Sequence, residues 1–294
     1  MHINIPDSVI SIDEYAFSEC SSLVKIKIPS SITKIESYTF LECARLQNVN
    51  IPSSVTSIGS SAFNACKSLR RLILPPLINI IELNSFNECE SLIKISIPSS
   101  VTSIGNSSFR ECISLVKINI PDSVTSIGKS AFKKCLSLAT IHIPSSVITI
   151  GKSAFSECNS LNNITISSSL TSIEPYLFEN CSSLEQIIIP SSVTLIGRSA
   201  FTTCSSLKLV EIPSSVTEIE NFAFQRCRSL PAIKIPSSVN KVGSGAFEEC
   251  FSLAQVNIFN INAISIYMFD QCEKLTQITI PSSVTSILYC AFIL

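Results

Sequence analysis

The sequence predicts an α/β solenoid, in which short structural units of nearly identical sequence stack in a row. The first observation is periodicity: phenylalanine recurs every 23 residues from Phe17 to Phe247, and a cysteine follows three residues later, from Cys20 to Cys250. The second is composition, because 46% hydrophobic and only 15% charged residues supply a continuous core. A fixed period of about 20 to 30 residues is the sequence signature of repeat architectures. We therefore expect residues 1–294 to form a single domain of about twelve to thirteen 23-residue repeats, without evident caps.

Each repeat contains a strand, a turn and a second compact segment. In the strand motif L-x-x-I-x-I of residues 115–120, Ile118 and Ile120 fall on one side and the residues between them on the other. The proline that follows, here Pro121, has no N–H to donate and therefore ends the strand. The motif A-F-x-x-C, as at residues 62–66, places apolar side chains three and four residues apart. That spacing fits one helical turn, so we expect a parallel β-sheet on the concave face and short helical or 3₁₀ turns on the convex side.

This template resembles the BspA-type leucine-rich repeat, whose units read roughly L-x-x-I-x-I-P-x-x-V-x-x-I-G-x-x-A-F-x-x-C. The match covers essentially the whole chain, although Ser167 and Phe259 stand where proline is expected. The resemblance implies a leucine-rich repeat arc with a parallel sheet on its concave face. It also implies a surface adhesin that binds host matrix proteins or other cells, which is a non-enzymatic module at the cell surface or outside the cell.

The thirteen cysteines allow three interpretations: buried free thiols, some disulfides, or a metal site. Successive turns lie about 4.8 Å apart in a sheet, which makes bridges between turns conceivable. However, a buried thiol packs as a small hydrophobe, and the count is odd. No C-x-x-C pair of the kind that zinc favours occurs. We favour buried free thiols and expect neither a metal nor another cofactor.

Motifs of catalysis are missing from the sequence. It has two histidines, His2 and His142, and it lacks G-x-S-x-G, a P-loop, a dinucleotide fingerprint and H-E-x-x-H. His142 occupies an exposed strand position, where a solvated surface histidine is the ordinary interpretation. We therefore expect that the protein is not an enzyme.

The candidate binding residues are those that break the repetition on the outward strand positions of the concave face. In the first five repeats these positions carry basic residues and no acid: Lys25, Lys27, Arg70, Arg71, Lys94 and Lys117. Asn119 and His142 extend this candidate site. In the later repeats Glu185 and Glu211 balance Lys208 and Lys234. The net charge of −1 therefore hides an uneven distribution.

Two interpretations of these basic residues remain open. Like charges at the same strand position of adjacent turns destabilise a sheet mildly, so their retention favours an anionic partner. Alternatively, lysines keep a sheet soluble and deter association. These positions hold no aromatic residues on which the bases of single-stranded nucleic acid could stack. We therefore expect an acidic protein or a sulfated glycan as partner, and no nucleic acid.

Location and assembly also have alternatives. The first twenty residues lack the basic start and apolar core of a signal peptide, and no apolar run is long enough to span a membrane. These features, together with unpaired thiols, favour a cytoplasmic interaction scaffold as the alternative to a surface adhesin. The chain leaves in mid-repeat, so we expect Phe292 and Leu294 to face solvent. On that hypothesis the chain is a segment of a longer array or a structural array that self-associates end to end.

Overall fold

The computed structural model describes residues 1–293. It divides the chain into two compact units, Met1–Ala154 and Phe155–Leu294. Each unit is a parallel β-solenoid in which every turn contributes short strands that pair in parallel with the turns before and after it within the unit. The single domain expected from the sequence stays a prediction.

Three-residue strands form what we call the front sheet of each unit. They correspond to the predicted strand motif, and their central residue points inward while its two neighbours point outward. In the first unit the strands are His2–Asn4, Lys25–Lys27, Asn48–Asn50, Arg71–Ile73, Lys94–Ser96 and Thr140–His142, with Lys117 joined to Thr140 by an isolated parallel bridge. In the second unit they are Asn163–Thr165, Gln186–Ile188, Leu209–Glu211, Ala232–Lys234, Gln255–Asn257 and Gln277–Thr279.

Two-residue strands form a second face, the side sheet. Each follows the segment at the proline position and points its second residue into the core, except at the last strand, where both residues are exposed. The first unit has Lys34–Ile35, Ser57–Ile58, Ile80–Ile81, Ser103–Ile104, Ser126–Ile127 and Thr149–Ile150. The second unit has Ser172–Ile173, Leu195–Ile196, Glu218–Ile219, Lys241–Val242, Ala263–Ile264 and Ser286–Ile287.

The predicted proline turn is confirmed. Proline accepts a hydrogen bond from the N–H three residues later, as from Val55 to Pro52 at 3.1 Å and from Val101 to Pro98 at 3.1 Å. Ser167, which replaces proline, accepts the equivalent bond from Leu170 at 3.3 Å. The carbonyl therefore closes the turn, while the proline ring ends the strand before it.

The A-F-x-x-C segments form a third face, which we call the turn ribbon. Here the prediction of helical or 3₁₀ turns was wrong, because no helix occurs among residues 1–293. Around Phe86, three overlapping β-turns follow one another, with N–H to carbonyl bonds from Ser85 to Glu82, from Asn87 to Asn84 and from Cys89 to Phe86. Asn84 and Glu88 lie third in the first and last of these turns and have φ of 53° and 57°. A positive φ at that place marks a type II turn and interrupts a helix.

A helix does not form because alternate backbone N–H groups of this segment bond to the next turn. Those of Asn84, Phe86 and Glu88 donate to carbonyls of the next turn at 3.0, 2.9 and 2.8 Å, whereas a helix would use them internally. The spacing of three between phenylalanine and cysteine suits a chain of β-turns as well as a helix. Since none of the described residues is helical, none forms a helix that could cross a bilayer.

The phenylalanines of the turn ribbon form stacked columns within each unit. Neighbouring rings are nearly parallel, with centroids 5.7 Å apart between Phe63 and Phe86 and 5.5 Å between Phe86 and Phe109. In the second unit the spacing is 5.1 Å between Phe201 and Phe224. Most of these rings are fully buried. The repeating phenylalanine therefore forms a spine of the core within each unit.

The thirteen thiols are unbridged, and the repeat cysteines from Cys43 to Cys272 are buried, as predicted. Their S–H groups point along the stack at a backbone carbonyl. Cys66 donates to the Phe40 carbonyl at 3.2 Å, and Cys89 donates to that of Phe63 at 3.2 Å. The same Phe40 carbonyl accepts the N–H of Cys43, so both of its lone pairs are used. The cysteine is therefore a small apolar residue with a satisfied donor.

Burial raises the pKa of these thiols, because the thiolate would lose its hydration in the core. The pKa of Cys43 rises from 9.0 to about 12, and that of Cys66 lies well above its ordinary value. Neighbouring cysteines of the stack contribute to the rise, whereas the hydrogen bond to the backbone opposes it. Since the thiolate is the reactive species, these cysteines are protected against oxidation and exchange.

The expectation for the last turn concerns Phe292 and Leu294. Phe292 is half-buried and stacks on Phe269 with ring centroids 5.4 Å apart. Its ring is therefore not fully open to solvent. Leu294 lies outside the described residues.

We predict that truncating a ring in the middle of a column is severely destabilising. Phe86→Ala should lower the free energy of unfolding by about 3–5 kcal/mol, since it removes a buried aromatic side chain and its contacts in two neighbouring turns. Urea denaturation followed by circular dichroism measures this change. The matched control is Ile73→Ala, at an isoleucine that is 79% exposed, which should change stability by less than about 0.5 kcal/mol. Similar losses in both variants would contradict the assignment of the core.

We also predict a stability loss at high pH that depends on the buried thiols. A folded-state pKa above the unfolded value means that the protonated thiol contributes stability fully below pH 9. That contribution is lost as the pH rises from 9 towards the folded value of about 12 for Cys43. The free energy of unfolding should therefore fall less steeply over this range in Cys43→Ala than in the unaltered protein. Equal slopes would show that this thiol titrates normally.

Candidate functional site

Every residue predicted for the binding site lies on or directly beside the front strands of the first unit. The eight side chains are all exposed: Lys25, Lys27, Arg70, Arg71, Lys94, Lys117, Asn119 and His142. They point outward because the residues between them, such as Ile26 and Ile95, are inward members of the core. Strand alternation separates inward from outward residues within each strand, while Arg70 is an exposed residue just before its strand.

The structure groups only some of these residues. Arg71 pairs in register with Lys94, and Lys117 occupies the same position one turn later. We call Arg71, Lys94 and Lys117 the basic column. Lys25 belongs to the same line of positions but is separated from Arg71 by the turn that contains Asn48, with which it pairs. Lys27, two residues further along the strand, likewise pairs with Asn50.

Two further lines of positions flank the basic column. On one side lies the apolar column, Ile93 and Val116, whose exposed fractions are 37% and 50%. On the other side lie Ser96 and Asn119, and His142 continues this polar line one turn later. Arg70 stands at the same motif position as Ile93, one turn earlier. The prediction from the sequence rested on charge and did not include Ile93 and Val116, although both stand at the same motif position as Arg70.

The turns of Ile93 and Val116 line a shallow hollow of about 410 Å³. Ile93 and Val116 form its apolar wall, while Lys94, Lys117 and Asn119 supply the polar one. A neighbouring hollow of about 420 Å³ contains Arg71, Asn50 and the exposed Ile73. We call the surface made by Arg70, the apolar column, the basic column and Asn119 the binding face. It offers positive charge and apolar area side by side.

The charges of the binding face stand apart from the salt bridges found in the described part of the chain. Among the described residues, neither Arg70 nor any member of the basic column forms a salt bridge. Several other charged residues meet an opposite charge one turn away. Lys67 meets Glu90 at 2.9 Å, and Lys134 meets Glu111 at 3.3 Å. The basic column therefore differs from these pairs in having three cations in a row.

The front sheet of the second unit follows the complementary pattern. Lys208 and Glu185 occupy successive turns on its outward side and form a salt bridge of 3.2 Å. The remaining acid and base of that face, Glu211 and Lys234, stand at the same motif position one turn apart. The charges of this face therefore balance, as the sequence indicates, and the unbalanced charge is confined to the first unit.

Comparison with solved structures finds several bacterial relatives. A leucine-rich repeat protein from Bacteroides ovatus is 29% identical, with 96% of this chain and 79% of that chain covered and a TM-score of 0.74. A leucine-rich cell surface protein from Faecalibacterium prausnitzii is also 29% identical, with coverage of 98% and 87% and a TM-score of 0.62. The pneumococcal vaccine antigen PcpA shares the fold at 20% identity, with coverage of 99% and 84% and a TM-score of 0.54.

Among curated proteins, none matches the chain. A family model does, and it describes a repeat region and indicates no catalytic family. Its description is the BspA-type leucine-rich repeat region in six copies, and it matches residues 1–115, 79–208 and 171–293. The matches run through both units and span the phenylalanines and cysteines described above. The chain therefore belongs to the BspA-type leucine-rich repeat family.

Proposed function

We propose that this protein is a non-enzymatic binding module that captures an acidic protein through the binding face of its first unit. One observation carries the proposal: Arg71, Lys94 and Lys117 stand in successive turns and form no salt bridge with any described residue, whereas Lys67 and Lys208 each meet a glutamate one turn away. Like charges at neighbouring strand positions repel each other, and an anionic partner would remove that cost. The leucine-rich repeat family, generally composed of protein-interaction modules, supports the same class of function.

The apolar column favours an acidic protein over a sulfated glycan. A glycan ligand would use the basic side chains but would leave Ile93 and Val116 without a matching surface. A protein partner can bury such residues while its carboxylates meet the neighbouring lysines, as in interfaces that combine an apolar centre with charged surroundings. Lysines that served only to keep the sheet soluble would need no apolar neighbours. The combination in one hollow of about 410 Å³ is therefore the stronger argument for protein recognition.

A cell-surface location is part of this proposal. The Faecalibacterium prausnitzii relative is described as a cell surface protein, and surface adhesion suits a binding module of this family. The unbridged thiols favour a cytoplasmic scaffold as the second candidate. Free thiols are also compatible with a cell-surface location, since a buried thiol with a strongly raised pKa resists oxidation in any compartment. Labelling intact source cells with a membrane-impermeant amine reagent should modify the protein, and labelling only after lysis would favour the scaffold.

We predict that reversing the basic column removes capture of acidic polypeptide. The probe is immobilised poly-L-glutamate, with heparin as the glycan arm, and binding is measured by surface plasmon resonance at several salt concentrations. Lys94→Glu with Lys117→Glu should weaken binding to poly-L-glutamate at least about 10-fold, and added salt should weaken the unaltered protein. Heparin should bind no better than poly-L-glutamate at equal charge.

The matched control reverses two other lysines of the same unit. Lys129 and Lys152 are exposed, occupy successive turns and lie outside the front sheet, so Lys129→Glu with Lys152→Glu makes the same charge change elsewhere. This control should retain binding within about 2-fold. Equal loss in both double variants would mean that net charge alone attracts the probe, and a preference for heparin would overturn the choice of an acidic protein.

A further inference from the structure

On the binding face, residues at the same motif position of successive turns form parallel stripes that run from turn to turn. The apolar column, the basic column and the polar line of Ser96 and Asn119 lie side by side across the strands. Each stripe repeats once per turn, and parallel strands lie about 4.8 Å apart. A ligand that follows a stripe must therefore supply matching groups at nearly this interval.

The interval distinguishes two conformations of a polypeptide ligand. An extended strand presents same-side residues about 6.6–6.8 Å apart, so three of its carboxylates would drift from Arg71, Lys94 and Lys117 by about 4 Å in all. On one stripe of an α-helix, successive residues lie one helical turn, or about 5.4 Å, apart. Over three residues, such a stripe drifts from the spacing of the solenoid turns by only about 1.2 Å in all. Lysine and arginine side chains are flexible enough to absorb the smaller difference.

The stripes give a second, independent reason. In an extended segment, neighbouring residues point to opposite sides, so an acidic line and an adjacent apolar line cannot both meet one surface. In a helix, residues three and four positions apart form one stripe, and a second stripe can lie beside it on the same face. The apolar column lies directly beside the basic column, as adjoining helix stripes require.

Building on the proposed function, we propose that the binding face of the first unit is a docking site for an acidic amphipathic helix. The helix lies across the front strands, along the line Arg71–Lys94–Lys117. Its carboxylates, spaced i, i+4 and i+7, meet the basic column, and its neighbouring apolar residues cover Ile93 and Val116. Asn119 lies on the far side of the basic column, where it can bond polar groups at the edge of the helix.

The test uses three synthetic peptides of one length and composition. The first is an alanine-based helix with glutamates at i, i+4, i+7 and i+11 and leucines in the adjoining stripe. The second alternates glutamate with the other residues, and the third keeps the first pattern with two central L-residues replaced by their D-forms, which break the helix. Binding of each to the full chain is measured by fluorescence anisotropy, and helix content by circular dichroism.

The striped helix should bind at least about 10-fold more tightly than either of the other two peptides. Lys94→Glu with Lys117→Glu should remove this preference, Lys129→Glu with Lys152→Glu should keep it, and Ile93→Ser with Val116→Ser should weaken the striped helix several-fold. If all three peptides bind equally and all depend on Lys94 and Lys117, the helix is wrong while acidic-protein capture stands. If no peptide binds but heparin does, both proposals fall.

Discussion

The hydrogen bonds that join each turn to the next are the interaction on which the structure depends. A single turn of 23 residues has strands of only two and three residues and no core of its own. Front sheet, side sheet and turn ribbon all direct N–H groups to carbonyls of a neighbouring turn, as between Phe86 and Ser108 at 2.9 Å. Because the same backbone groups pair at every step, each turn must present the same inward shape, and the repeated sequence follows from that requirement.

The turn ribbon shows how strict this requirement is. Glutamate, asparagine, serine and even tyrosine adopt positive φ on either side of the repeating phenylalanine. Such residues enter the left-handed region at a cost, and they do so here because the alternating conformation frees every second N–H for the next turn. The inward cysteine then completes the arrangement, since its S–H uses a remaining lone pair of the phenylalanine carbonyl. The ribbon is stabilised between turns and not within them.

This division of labour explains where recognition can arise. Inward positions are bound by packing, and backbone groups are used by the ladder, so only outward side chains are free to differ among turns. In the second unit such side chains pair with each other, as Lys208 does with Glu185. In the first unit the basic column does not, and the apolar column lies open beside it. A surface with stripes that repeat once per turn suits a ligand that also repeats at about that distance.

The sequence by itself determined the solenoid, the inward residues and the outward position of all eight candidate residues. The 23-residue period of Phe17, Phe40 and Phe63 and the alternation around Ile26 and Ile95 are local and repeated, so each turn confirms the others. Only the tertiary structure decided between a helix and chained β-turns around Phe86, because a spacing of three fits both, and the choice depends on bonds to the next turn. It also decided which candidates share a surface: register joins Arg71 to Lys94 and places Ile93 and Val116 beside them, while Asn48 separates Lys25. Such neighbours lie a full repeat apart in sequence, and only the pairing of turns brings them together.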